Sequence, residues 1–177
     1  VQLDLPLLGA VTFGAGVLFF PISYIFGDIL TEVYGYAHGR RVIWIGFALS
    51  ALMGFTLWLV ACLPGEANWQ AVAGQDAYNA ILGGVSSGGI IVASLLAYLA
   101  GEFVNSFVLA KLKVATRGRF LWARTIGSTL VGQVIDTTIF VLIAAALDVF
   151  PWAAALSIIV ANYSFKVVVE AFFTPLT

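Results

Sequence analysis

Apolar residues run along this chain in long blocks, each close to the length that crosses a lipid bilayer, about 20 residues as helix. Five blocks stand out. They cover about Leu7 to Tyr36 (interrupted by Pro21), Val42 to Leu63, Ser87 to Leu109, Leu121 to Leu147 and Ala153 to Phe173. None shows the ten-residue alternation of an outer-membrane strand, so the pattern predicts helices. The expected fold is an all-α, polytopic transmembrane bundle, with residues 1–177 forming a single transmembrane domain.

The connections between blocks set a direction. Arg40 and Arg41 separate the first two spans, and Lys111, Lys113, Arg117 and Arg119 separate the third and fourth. The alternate connections carry Glu66, Asp76 and Asp148 and no Lys or Arg. Basic loops face the cytoplasm, which places Val1 outside and Thr177 inside. The segment from Pro64 to Ser86 is the one long connection and is expected to lie along the outer interface. Trp44, Trp58, Trp69, Trp122 and Trp152 fall near span ends, as an aromatic belt does. The start lacks the basic n-region and cleavage site of a signal peptide. An outside N-terminus normally follows an earlier span, so a sixth helix upstream is expected. Gly27-Asp28-x-x-Thr31 and Gly132-Gln133-x-x-Asp136 would then be matched positions of three-plus-three inverted repeats.

Composition narrows the class further. AVILMFWYC residues make up 62% of the chain and charged residues 10%, against about 45–50% and about 25% in soluble domains. A mean hydropathy of +1.04 excludes both a water-soluble globule and a disordered chain. The formal charge of −1 offers no basic field for a nucleic acid. A lone Cys62 excludes an intrachain disulfide and a multi-cysteine metal site. GxxxxGK[ST], HExxH and GxSxG are all absent, so no cofactor or catalytic motif is indicated.

Instead, chemistry concentrates in ionisable groups at depth. Asp28 precedes Arg40 by twelve residues and Asp136 follows Arg124 by twelve, about 18 Å from a basic mouth at 1.5 Å per residue. Glu102, nine residues before Lys111, lies about 13 Å deep. Glu32 is one turn from Asp28, and Glu170 one turn from Lys166. Each ionised acid at the centre of a membrane helix costs about 2.5–3.5 kcal/mol, so such residues face the bundle interior, pair, or take a proton. Polar companions follow helical spacing: Asp28 with Glu32, Glu102 with Asn105 and Ser106, Gln133 with Asp136, and Asn162 with Lys166 and Glu170. These stripes are expected to converge on a cavity.

Blander roles compete for several of these groups. Lys166 and Glu170 can form an intrahelical ion pair. Arg124 can snorkel at the mouth. Ser128, Thr129, Thr137 and Thr138 can bond their own backbone or glue helices, and His38 can simply be solvated. Pro21, the Gly14–Gly16 pair, Gly83-Gly84, Gly88-Gly89 and the stretch from Gly127 to Gly132 would let helices break or slide. Carboxylates accept N–H bonds, and Gln and Asn offer a donor and an acceptor in one plane. With Phe20, Tyr24, Phe26, Phe103, Phe107, Phe140, Tyr163 and Phe165, they suit a flat heterocycle with amide and amino edges.

The string Phe20-Pro21-x-x-Tyr24-x-x-Gly27-Asp28-x-x-Thr31-Glu32-Val33-Tyr34-Gly35-Tyr36, running on to Arg41, resembles the queuosine precursor transporter family, also catalogued as vitamin uptake transporters. Arg124 to Thr137 and the closing Asn162-Tyr163-x-x-Lys166 are similar to its later segments. The resemblance implies a six-helix, multi-pass inner-membrane carrier, not an enzyme. Its small-molecule cargo would be 7-deazaguanine precursors of queuosine, such as 7-cyano-7-deazaguanine and 7-aminomethyl-7-deazaguanine. The expected substrate residues are Asp28, Glu32, Glu102, Asn105, Gln133, Asp136, Asn162 and Lys166. The partners expected are the substrate and the bilayer, with a homo-oligomer compatible and no nucleic acid. The competing readings are a substrate-binding subunit of an ATP-driven importer, a two-aspartate intramembrane protease, and a structural scaffold.

Overall fold

A computed structural model describes residues 2–5, 9–12, 20–86, 88–149 and 151–173, with side chains from Ser23 onward except 78, 79 and 81–86. Six helices dominate the described residues: α1 (Phe20–Tyr34), α2 (Tyr36–Ala61), α3 (Ala67–Ser86), α4 (Gly89–Ala115), α5 (Leu121–Ala146) and α6 (Trp152–Phe173). A short antiparallel hairpin, β1 (Gln2–Leu5) with β2 (Gly9–Thr12), precedes them, with Gln2 opposite Thr12.

Helices α2, α4, α5 and α6 are long and apolar enough to cross a membrane. The expected first span departs from this. Within Leu7 to Tyr36, the described residues form strand β2 and then the 15-residue α1 rather than one continuous helix. Residues 13–19, and with them the Gly14–Gly16 pair, lie outside the described residues. Pro21 explains the start of α1, because proline lacks an N–H and is accommodated only in a helix's first turn.

Gly35 ends α1 and opens α2. Its φ of 84° lies in the region only glycine enters easily, and no neighbouring atom lies within 4 Å of where its Cβ would be. Helix α2 begins six residues before the expected Val42, because its first turns carry the polar residues His38, Arg40 and Arg41. Apolar length alone misses such an extension. Helix α4 likewise runs past Leu109 to Ala115, where Thr116 Oγ1 donates to the Leu112 carbonyl at 2.8 Å.

The connection expected from Pro64 to Ser86 is a helix with a break. Glu66 stands at its N-terminus, accepting from the Trp69 backbone N–H at 2.9 Å and from Asn68 Nδ2 at 2.9 Å. Gly74, with φ 81° and ψ 158°, interrupts α3.

The bundle centres on α4, which packs against α1, α2, α3 and α5, and its interface with α5 is the most extensive. The buried stripe of α4 repeats every fourth residue: Gly89, Ala93, Ala97, Gly101, Asn105, Leu109. Small residues at this spacing let membrane helices approach closely. At the crossing, a Cβ on Gly101 would come within 2.6 Å of Asp136 Cβ, and one on Gly132 within 2.8 Å of Asn105 Cβ. Helix α2, by contrast, buries only Gly39, Ile43 and Gly54, leaving its apolar flanks for lipid.

Two outcomes follow from these contacts. Gly101→Leu and Gly132→Leu should each force α4 and α5 apart and cost about 1–3 kcal/mol or more, seen as a lower Tm in detergent. Hydrogen bonds from the backbone N–H groups of Asn68 and Trp69 hold the Glu66 carboxyl below its ordinary value of 4.5. A depressed folded-state value stabilises above the ordinary one and is lost as pH falls through the depressed one. The Trp69 amide should therefore lose hydrogen-exchange protection as pH falls through that depressed value, and Glu66→Gln should flatten that dependence.

Candidate functional site

The polar side chains of the bundle fall into three tiers along its axis. The first lies at the basic end. Glu32, near the end of α1, accepts from Arg124 Nη2 at 3.1 Å and pairs with Lys113 Nζ at 3.2 Å through the same oxygen, Oε1. Lys113 also donates to the Glu32 backbone carbonyl at 2.5 Å. Arg124 does not snorkel as expected: it is only 2% exposed. It sits in the first turn of α5, where the helix dipole disfavours a cation, and the Glu32 carboxylate offsets that cost.

The second tier joins α1 to α4. Asn105 Nδ2 donates to Asp28 Oδ1 at 2.8 Å, and Thr31 Oγ1 donates to Ser106 Oγ at 3.2 Å. Both pairs are buried, and Gly27 lies against Glu102 with room to spare. A Cβ there would lie 3.5 Å from Glu102 Oε2.

The third tier joins α5 to α6 through Lys166 Nζ, which donates to Asp136 Oδ2 at 2.5 Å. Lys166 thus reaches across to a neighbouring helix, beyond the intrahelical role expected of it. Asp28, Asp136, Glu170 and Lys166 all lie within electrostatic reach of Glu102. Tyr24, buried on α1, lies within electrostatic reach of Glu102, Asp136, Asp28 and Glu170.

Five of the eight expected residues therefore gather in one region: Asp28, Glu102, Asn105, Asp136 and Lys166. Glu32 is engaged by two cations at the basic end and lines the same hollow as Asp28. Gln133 is fully buried beside Gly132, and Asn162 is buried on α6 one turn before Lys166. Ser128 bonds its own backbone, donating to the Thr125 carbonyl at 2.9 Å. His38 is exposed and bonds the Tyr34 carbonyl.

Several of these buried atoms have no hydrogen-bond partner among the described residues. They are Asp28 Oδ2, Asn105 Oδ1, both amide atoms of Gln133, Asn162 Oδ1, the Thr129 and Thr137 hydroxyls, and Nε and Nη1 of Arg124. Native interiors leave few such groups, so a cluster of donors and acceptors suits a polar guest. Space adjoins them. A 210 Å³ hollow between α1 and α5 is lined by Asp28, Ile29, Glu32, Val33, Leu121 and Thr125. A second, of 190 Å³, lies between α1, α2 and α4 and holds Glu102, Thr31 and Ser106 on its walls. Drug-sized ligands occupy about 300–1,000 Å³, so either hollow suits only a small one.

Arg124 and the Gly101 approach are the features that sequence reasoning undervalued. Their signals were a cation in the first turn of a helix and the four-residue repeat of small residues along α4.

Four helices long and apolar enough to cross a membrane, packed around buried charged and amide side chains, define a polytopic membrane protein. Residues 14–177 match the family described as "Putative vitamin uptake transporter", and the chain belongs to that family of multi-pass membrane transporters, which are not enzymes. It is 31% identical over 149 residues to the "Probable queuosine precursor transporter" of Bacillus subtilis (strain 168), an overlap of 84% of this chain and 62% of the other. It is 27% identical over 179 residues to the "Queuosine precursor transporter" of Escherichia coli (strain K12), covering 99% of this chain and 76% of that protein. This chain thus spans less than two thirds of the Bacillus protein's length. No solved structure matches it.

Removing either side of the tier at the basic end should destabilise the fold. Arg124→Ala and Glu32→Ala are each expected to cost about 3 kcal/mol, at the low end for a buried pair because Glu32 keeps some water contact. The double variant should cost clearly less than the two together, as measured by thermal unfolding in detergent.

Proposed function

We propose that this protein is an inner-membrane carrier that imports queuosine precursors, 7-cyano-7-deazaguanine and 7-aminomethyl-7-deazaguanine, with its helices acting as one transport domain. The observation that carries this reading is the set of unmatched hydrogen-bonding atoms around Asp28, Asn105 and Gln133. A deazaguanine base presents N–H donors along one edge and a carbonyl acceptor beside them. Asp28 and Asp136 would accept from the N–H edge, and the Asn105 and Gln133 amides would read the carbonyl edge. Asn162 and Lys166 would form the opposite wall. Tyr24 offers an aromatic face among the acids. The names of the two relatives support the cargo, and the small volume beside Asp28 supports a ligand no larger than a bicyclic base.

A two-aspartate protease is disfavoured by the pairing itself. Asp28 is engaged by Asn105 and Asp136 by Lys166, so the two acids do not share a proton as a catalytic dyad does.

The test is uptake of labelled 7-cyano-7-deazaguanine by cells that lack other routes for it. Asp28→Asn and Gln133→Leu should each lower uptake at least tenfold, a loss of about 1.4 kcal/mol or more of binding, at unchanged membrane abundance. Uptake at the wild-type rate by both variants, or none by the wild type, would overturn the reading.

A further inference from the structure

Glu102, expected from the sequence among the substrate residues, is like Glu170 a buried acid outside the substrate contacts proposed above. It stands on α4, 5% exposed, and borders the hollow between α1, α2 and α4 rather than the one beside Asp28. Ser106 follows it by one helical turn and lines the same hollow. So does Thr31, whose hydroxyl donates to Ser106 at 3.2 Å. A carboxylate and two linked hydroxyls thus share 190 Å³, where a water needs only about 10–15 Å³ of such space. The path they mark runs from mid-bundle toward the basic end of α1.

The groups around Glu102 come from every helix packed there. Helix α1 contributes Asp28 and Tyr24, α4 Tyr98, α5 Asp136, and α6 Lys166 and Glu170. Helix α2 lines the hollow with Gly39, Val42 and Ile43, none of them titratable. Lys166 is held by Asp136. Four carboxylates therefore share one ammonium, an arrangement whose full ionisation a low-dielectric interior opposes. The neighbouring Asp28 Oδ2 and Asn105 Oδ1, on side chains 1% exposed, are two acceptors without a donor. A proton supplies both a positive charge and a donor, and it needs one carboxylate rather than a cage. Among the described residues, no three His, Cys, Asp or Glu side chains are grouped to hold a metal ion.

We propose that Glu102 carries a coupling proton, exchanged through the Ser106–Thr31 hydroxyls, and that the protein is a proton–substrate symporter. The carboxylate takes one proton from the outer side as substrate loads and releases the same proton to the inner side as substrate leaves. This rests on the transport reading above.

The test uses the full chain in proteoliposomes with labelled 7-cyano-7-deazaguanine, a neutral probe. With the outside about one pH unit more acid, the wild type should accumulate the probe up to about tenfold, the factor that one coupled proton supports. A pH dye trapped inside should report acidification when the probe is added. Glu102→Gln should lose accumulation and acidification, and Ser106→Ala, which leaves every expected substrate residue in place, should lose both while keeping probe-for-probe exchange near the wild-type rate. Accumulation driven by a sodium gradient, or absent acidification in the wild type, overturns proton coupling. Accumulation retained by Glu102→Gln, or exchange lost with Ser106→Ala, overturns the route through Glu102 and Ser106. A wild type that neither exchanges nor accumulates the probe overturns the transport reading itself, and this inference with it.

Discussion

Backbone contact between α4 and α5 at Gly101 and Gly132 is the constraint on which the polar centre depends. Each glycine faces the polar residue one turn beyond the other: Gly101 meets Asp136, and Gly132 meets Asn105. Any side chain at either position would separate the helices and draw Asn105 away from Asp28. Helix α1 approaches more loosely, since a Cβ on Gly27 would sit 3.5 Å from Glu102 Oε2, an ordinary contact. Three helices thus place a glycine directly before a buried acid or amide, as Gly27-Asp28, Gly101-Glu102 and Gly132-Gln133. The gaps left by the missing side chains are where the neighbouring helix's polar group fits.

This packing arranges charge by depth. Compensated pairs sit at both margins of the polar region, Glu32 with Arg124 and Lys113 at the basic end, and Asp136 with Lys166 on the far side of the α4–α5 crossing. Between them lie acids and amides with atoms left unmatched. Helix α1 divides the space, with Asp28 bordering one hollow and Glu102 the other. Two acids at similar depth thereby face different surroundings, which is why separate roles can be assigned to them.

Much of the fold was legible because apolar length is a strong signal, and α5 and α6 lie within a residue of their expected bounds. The N-terminal fifth was not. A hairpin and a 15-residue helix there share the apolar composition of a span, and composition does not separate them. Helix α3 was hidden for the opposite reason, since Asn68, Gln70, Gln75 and Asp76 give it the polarity of a loop. At the site, buried acids were legible from the cost of placing them in lipid. Their partners were not, because Lys166 had Glu170 one turn away on its own helix and also meets Asp136 from 30 residues earlier. Choosing between such partners needs the helix crossing, and that crossing was written in the four-residue repeat from Gly89 to Gly101.

The buried guanidinium of Arg124 has a consequence for biogenesis. Its counter-charge is supplied by α1, a helix made some ninety residues earlier, as the 92-residue separation from Glu32 indicates. Helix α5 emerging alone would carry an uncompensated cation in its first turn, whereas α5 emerging beside α1 would not. The guanidinium is thus at home only where the two helices meet, one from each end of the chain's polar pattern.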